Sequence, residues 1–213
     1  MHPPVHLALS WLVGHRLPEL RDRRLVTWAG VAPDLDALSL LVGAGAYSEY
    51  HHVLTHGVAA AVVGTALWTS LGRQRWKVLA YSLATFHLHL LCDLLGSGRD
   101  WSIVYFFPFS RREFLSPYGW PLASPQNAAV WLAAVAFTVW IGLARGRTFA
   151  ESFLPAKADA AIVETLRKLF RWKPRAGTSL RGEEARPREG EARPGRYACR
   201  VKGQSLFRAA RMK

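Results

Sequence analysis

The stretch "YHHVLTHGVAAAVVGTALWTSL", residues 50–71, sets three histidines, His51, His52 and His56, at the mouth of an apolar run. Imidazoles at the edge of such a run are costly to bury and typically serve proton or metal chemistry. A second set stands in "VLAYSLATFHLHLLCDLL", residues 78–95. There His89 and Asp93 are four apart, so on a helix they project from one face and can share a ligand. His87 lies about 200° around the helix from His89 and cannot join it, so it reads as a packing histidine. Upstream, "GVAPDLDALSLL" offers Asp34 and Asp36 beside Pro33; taken alone they would be helix N-terminal acids that favour the dipole. Imidazole and carboxylate donors without thiolate suit Zn²⁺, with Mn²⁺ or Fe²⁺ as alternatives, acting on a bound water. Asp34 or Asp36 would bridge two ions or accept a proton from that water.

These residues need helices to hold them, and the apolar runs are long enough to lie in a membrane. Residues 128–144, "AAVWLAAVAFTVWIGLA", contain no charge and are closed by Arg145 and Arg147, which predicts a transmembrane helix. Residues 55–71 and 78–95 are the other two candidate spans, the second carrying His87, His89 and Asp93. Thr55 is placed to cap the helix that follows it, leaving His51 and His52 in a loop. Residues 5–14 and 38–46 are apolar but too short to span, and read as half-spanning or interfacial helices. No signal peptide is evident at the first residues. Cys92 and Cys199 form no CxxC, so neither a disulfide framework nor a thiolate zinc site is expected, and Cys92 reads as a small buried residue.

The charge is unevenly distributed. The 213-residue chain carries a net +13, yet residues 1–144 hold 10 Lys/Arg against 8 Asp/Glu, while residues 145–213 hold 18 against 7. All eight histidines precede residue 90. Chemistry therefore belongs to residues 1–147, followed by an amphipathic interfacial helix over 148–172, with Ile162, Val163, Leu166, Leu169 and Phe170 on one stripe. From residue 173 the chain is rich in Arg, Pro, Gly and Glu and reads as a disordered basic tail. Its expected partner is anionic lipid headgroups rather than nucleic acid, because it lacks repeated aromatics for base stacking. Arg73, Arg75 and Lys77 between two spans, together with the tail, predict a multi-pass protein of the cell (inner) membrane with a cytoplasmic C-terminus. His51, His56, His89 and Asp93 would then meet at the outer face.

Read in order, His6 in "HLALS", then "PDLD", "HHVLTH", "HLLCD" and the segment "GSGRDWSIVYFFPFS" form a longer pattern. It resembles the YdjM/YbcI-like family of predicted membrane-bound, metal-dependent hydrolases, over about residues 2–145. The resemblance implies an all-α, multi-pass membrane bundle and a metal set of His6, Asp34, Asp36, His51, His56, His89 and Asp93. His52 stands where that family commonly has Arg, and Gly57 where Ser is frequent. The family is in turn distantly similar to zinc-dependent phospholipase C and single-strand nucleases, which use further His ligands after the His-x3-Asp motif; no histidine follows His89 here.

Substrate selection is expected from the loop 96–126, where Ser110, Arg111 and Arg112 in "FPFSRREF" form a candidate phosphate anchor. The residues support two function classes. One is a membrane-bound, metal-dependent hydrolase of a phosphoester or lipid-like substrate, with Asp34 and Asp36 catalytic. The other is a non-catalytic protein that binds or conducts metal or protons through the same cluster.

Overall fold

A computed structural model describes residues 1–173, and all of its regular elements are helical. In chain order they are α1 (Pro3–Gly14), α2 (Leu20–Ala29), a 3-10 segment (Ala32–Leu41), α3 (Ala44–Tyr50), α4 (Val58–Leu71), α5 (Arg75–Gly96), α6 (Pro125–Arg145), a short 3-10 turn (Phe149–Ser152) and α7 (Ala156–Leu169). The long α5 is the centre of the bundle, with α1, α2 and α4 packed on it; α1 also packs against α6, and α7 against α6. Local chemistry sets the ends. Proline in the first turn starts both α1 and α6, where the missing N–H costs nothing. Ser124 accepts from the Asn127 N–H at 3.2 Å to cap α6, which stops at Gly146 in a left-handed conformation.

The elements around the histidines close tightly. A side chain at Gly30 would fall 1.9 Å from the Ser10 hydroxyl and 2.9 Å from Thr85, so only glycine lets α1, α2 and α5 meet there. At Gly57 a Cβ would sit 2.9 Å from the Tyr105 carbonyl, the acceptor of the Val58 N–H at 2.7 Å. The loop after α5 is thereby laced to the start of α4. Asp22, buried on α2, accepts from the Arg73 and Gln74 N–H groups at 2.8 and 2.9 Å and fixes the α4–α5 turn.

Two helices, α5 and α6, are long and apolar enough to cross a membrane. The third expected span is shorter than the sequence suggests. Helix α4 begins at Val58, and its 14 residues reach about 21 Å against a hydrocarbon core of about 30 Å. Residues 55–57 are withdrawn from it because Thr55 does not cap a helix. Its hydroxyl donates to the Pro33 carbonyl and accepts from the Asp36 N–H at 3.2 Å, while Gly57 occupies the cap position. Residues 38–46 divide between the 3-10 segment and α3, with Leu41 and Val42 86% and 85% exposed, an apolar strip of the kind an interfacial element presents.

The 148–152 stretch is not loose: Thr148, Ala150, Glu151 and Ser152 are buried. The apolar stripe of α7 buries only Val163, leaving Leu169 and Phe170 exposed. Beyond Lys173 the basic tail, and Cys199 with it, lies outside the described residues.

Candidate metal centre

Helix α5 places His89 and Asp93 one turn apart, with His89 Nε2 2.9 Å from Asp93 Oδ2. The other ring nitrogen of His89, Nδ1, donates to the Gly30 carbonyl at 2.8 Å, the contact that the close packing of Gly30 makes available. With its proton on Nδ1, the neutral ring turns the Nε2 lone pair toward Asp93. His6, on α1, stacks on His89 with ring centroids 3.8 Å apart, and its Nε2 lies 3.1 Å from Asp93 Oδ1. Ser97 also donates to Oδ1, at 3.0 Å, as does the Met1 amino group. One oxygen of Asp93 is thus held from behind while Oδ2 is left facing forward without a hydrogen bond.

The loop from α3 to α4 supplies the opposing ligands, and it folds around Asp36. Asp36 Oδ1 accepts from His51 Nδ1 at 2.7 Å; Oδ2 accepts from His56 Nδ1 at 2.9 Å and from the His52 N–H at 3.1 Å. Burial pushes this carboxyl up, but the hydrogen bonds from His51 and His56 outweigh it and hold Asp36 well below the usual carboxylate range. The charged Asp36 holds a proton of His56 on Nδ1 and aims its Nε2 at the centre. Burial opposes charge on this ring, but Asp36 and Asp93 outweigh it and raise its pKa to about 9, so until a cation displaces it a proton sits on His56 Nε2. This nitrogen lies 3.3 Å from His89 Nε2 and 3.5 Å from Asp93 Oδ2.

Asp34 completes the set from the first turn of the 3-10 segment, its Oδ1 3.5 Å from His89 Nε2. One donor atom from each of Asp34, His56, His89 and Asp93 lies within 4.8 Å of the others. Once a cation displaces the His56 proton, two imidazole nitrogens and two carboxylates face one another as acceptors alone. A cation is what such a set accommodates. Tetrahedral bonds of about 2.1 Å place ligand atoms roughly 3.4 Å apart, close to most of these separations. The donors fit a divalent ion of the Zn²⁺, Mn²⁺ or Fe²⁺ kind.

The expected residues therefore assemble, but in two layers. Asp34, His56, His89 and Asp93 converge through one ligand atom each. His6 supports the group from behind, through Asp93 Oδ1 and by stacking on His89, and Asp36 does so through His51 and His56. Asp36, His51 and His56 also lie close enough to hold an ion, but their nearest contacts are hydrogen bonds. This is the arrangement in which a carboxylate orients a ligating histidine.

His87 stands apart, as its helical phase requires. It is exposed, with Nδ1 donating to Leu83 O at 2.8 Å and Nε2 3.0 Å from the Tyr105 hydroxyl. His52, which the sequence marks only by its departure from the family pattern, is instead buried beside the site. Its backbone is left-handed (φ 68°), a conformation costly for a side-chain-bearing residue, and Nε2 lies 3.7 Å from Asp93 Oδ2. Burial, reinforced by the neighbouring His56, lowers its pKa to about 3 and keeps it neutral.

A cavity of about 450 Å³ opens over the cluster, walled by Asp34, His51, His52, Asp93, Tyr47 and Trp101. Ser110, Arg111 and Arg112 do not line it. All three are exposed, with the Arg112 guanidinium 5.3 Å over the Phe114 ring. The polar residues available to a molecule in the cavity include Asp34, Tyr47, His51, His52, Asp93 and Ser97.

No curated protein and no solved structure matches the chain. A family model described as YdjM inner membrane protein matches residues 1–158, a span that includes every residue of the cluster and the buried 148–152 turn. With its two long apolar helices, its His/Asp cluster and this match over most of its length, the chain belongs to the family of YdjM inner membrane proteins.

Proposed function

We propose that the protein is a membrane-bound, metal-dependent hydrolase of phosphoester or lipid-like substrates. The observation that carries this reading is the convergence of His56 Nε2, His89 Nε2, Asp93 Oδ2 and Asp34 Oδ1, each histidine already holding its proton on the other nitrogen. A divalent ion held by these groups, with a further position open to the cavity, would supply Lewis acidity, lowering the pKa of water and polarising a phosphoryl oxygen.

The remaining roles fall to the chain. Asp34 is the ligand most open to the cavity, its side chain 16% exposed against 2% or less for the other three. Its Oδ2 has no hydrogen-bond partner, and burial raises its pKa, so it is the group suited to take a proton from the attacking water. In that step the water oxygen bonds to phosphorus, the bond to the leaving alcohol breaks, and the proton held by Asp34 is available to the departing oxygen. Asp36 orients His56 and His51 and holds no proton of its own. In this reading α5 and α6 cross the membrane, the cluster lies at the outer face where α5 ends and α6 begins, and the C-terminus is cytoplasmic.

The test is metal content of the purified protein, followed by hydrolysis of generic phosphodiester and carboxylic ester substrates with and without chelator. Chelator-sensitive cleavage that returns with added metal is expected. Stoichiometric metal with no cleavage of either class would sink the hydrolase and leave a metal-binding or transport protein. Absence of bound metal would remove both. Retention in the membrane fraction after carbonate washing is expected from α5 and α6, and release would remove the membrane assignment of these helices.

A further inference from the structure

A second cavity shares two wall residues, His2 and Leu122, with the His/Asp cavity. An apolar cavity of about 660 Å³ lies between the N-terminal ends of α1 and α6, walled by Val5, Leu122, Pro125, Ala128 and Trp131. Apart from His2, the polar side chains at its edge are already committed. Ser124 caps Asn127, and the Asn127 amide donates to Gly96 O and Leu122 O at 2.7 and 2.8 Å and accepts from Trp120 Nε1 at 2.8 Å. What remains for an occupant is hydrocarbon contact.

Continuity and depth say which occupant. His2 and Leu122 belong to the walls of both cavities, so the two spaces adjoin and a molecule reaching past these two side chains would occupy both. The apolar cavity begins at the first residue of α6 and reaches Trp131, six residues on, or about 9 Å along a helix that can cross a membrane. That is the depth over which a bilayer passes from headgroups to chains, and a tryptophan there suits the boundary. Farther down α6, Leu132, Phe137 and Trp140 are exposed, giving a chain an apolar surface on which to leave or enter.

We infer that the cavity between α1 and α6 holds the hydrocarbon chain of a phosphate-bearing membrane lipid whose headgroup reaches the His56, His89, Asp34 and Asp93 cluster. The inference rests on the hydrolase reading only for the fate of the headgroup; binding of the chain is independent of turnover.

The test uses the full chain in non-ionic detergent, loaded with zinc, and phosphatidic acid carrying a diazirine on its acyl chain, with crosslinks mapped by mass spectrometry. Label is expected on Leu122, Ala128 and Trp131. Excess phosphatidic acid should suppress it and diacylglycerol should not. Filling the cavity with Ala128→Trp, or placing a charge in its wall with Leu122→Glu, should each cut the labelling at least about tenfold, the equivalent of 1.4 kcal/mol. Ala129→Trp, on the next residue and outside the walls, should leave it unchanged and serves as the control for folding. Label spread evenly over Leu132, Phe137 and Trp140, equal competition by diacylglycerol, or labelling indifferent to both wall variants would each overturn the inference. Labelling of the cavity without cleavage of any ester would remove the hydrolase and keep the lipid site. Cleavage of soluble phosphodiesters without cavity labelling would do the reverse.

Discussion

Two buried polar clusters lie along α1, one touched by His6 and the other by Trp11, and they are built on opposite terms. Around Trp11 every group is matched. Arg23 donates through Nε and Nη2 to the two oxygens of Glu151 at 2.6 and 2.7 Å, and through Nη1 to the Leu17 and Pro18 carbonyls at 3.0 and 2.8 Å. Trp11 Nε1 adds a third donor to Glu151 at 2.8 Å. Around His6 the matching is incomplete: Asp93 Oδ2 and Asp34 Oδ2 lack hydrogen-bond partners at the centre, and so do the Nδ1 atoms of His6 and His52 beside it. A closed set of donors and acceptors stabilises a fold by removing alternatives. A set of acceptors aimed at one point lowers the stability of the metal-free chain and makes sense only with a cation to bind. Burial and charge are common to both clusters; the balance of donors to acceptors separates structure from chemistry.

The comparison breaks most visibly at Arg23. Arg23→Met strands Glu151 in the interior and should cost about 3–5 kcal/mol, whereas Arg23→Met combined with Glu151→Leu should recover most of it. Thermal unfolding in detergent reads both. A cost below about 1 kcal/mol for the single change would class the pair with exposed ion pairs and end the contrast.

At the other cluster the large effect should fall on metal and not on folding. His89→Ala and Asp93→Ala should each weaken metal binding beyond the roughly 10 to 100-fold typical of outer groups, measured by competition with a chromogenic chelator. His87→Ala should leave binding unchanged. Asp34→Asn should weaken binding and also raise the melting temperature of the metal-free protein, because it removes one of the facing charges. A fall in that temperature would mean Asp34 is there for packing.

Asp36→Asn sharpens the division between layers. It keeps an oxygen near His56 but loses the charge that sets the ring proton on Nδ1, and should lower metal affinity by about 10 to 100-fold. An effect as large as that of His89→Ala would place Asp36 among the ligands instead of behind them.

The last comparison is in pH dependence. The folded-state pKa of His52 is lowered to about 3 from an ordinary 6.5, so the unfolded chain takes up the proton first. His52 then adds stability at neutral pH that is lost progressively as pH falls from about 6.5 towards about 3, with no change above. His52→Gln should flatten that slope in chemical unfolding of the metal-free protein. An unchanged slope would show that His52 is not held neutral.

Much of this was legible residue by residue. The four-residue spacing of His89 and Asp93 has a meaning on any helix, so their pairing, and the exclusion of His87, follow from periodicity alone. The length and apolarity of α5 and α6 were equally plain. The α3–α4 loop was not legible. Its geometry is set by a carboxylate fifteen residues upstream of His51, and a loop has no period to expose the partner. The start of α4 was misjudged for the same reason: Thr55 bonds back to Pro33, where a local reading assigns it to the helix ahead.

The sequence by itself determined which residue types gather and how the long helices run, because donor chemistry, apolar length and helical phase are local properties. It left Asp34 and Asp36 equivalent, two acids separated by one leucine. Only the tertiary structure distinguished them, surrounding Asp36 with the donors of His51, His56 and His52 while leaving Asp34 beside the bare lone pair of His89. It also drew Glu151, beyond the last long apolar helix, back against Arg23, a pairing 128 residues apart in the chain. The physical reason is common to both. The role of a buried charge is decided by the groups that replace its water, and those come from distant segments that only the folded chain brings together.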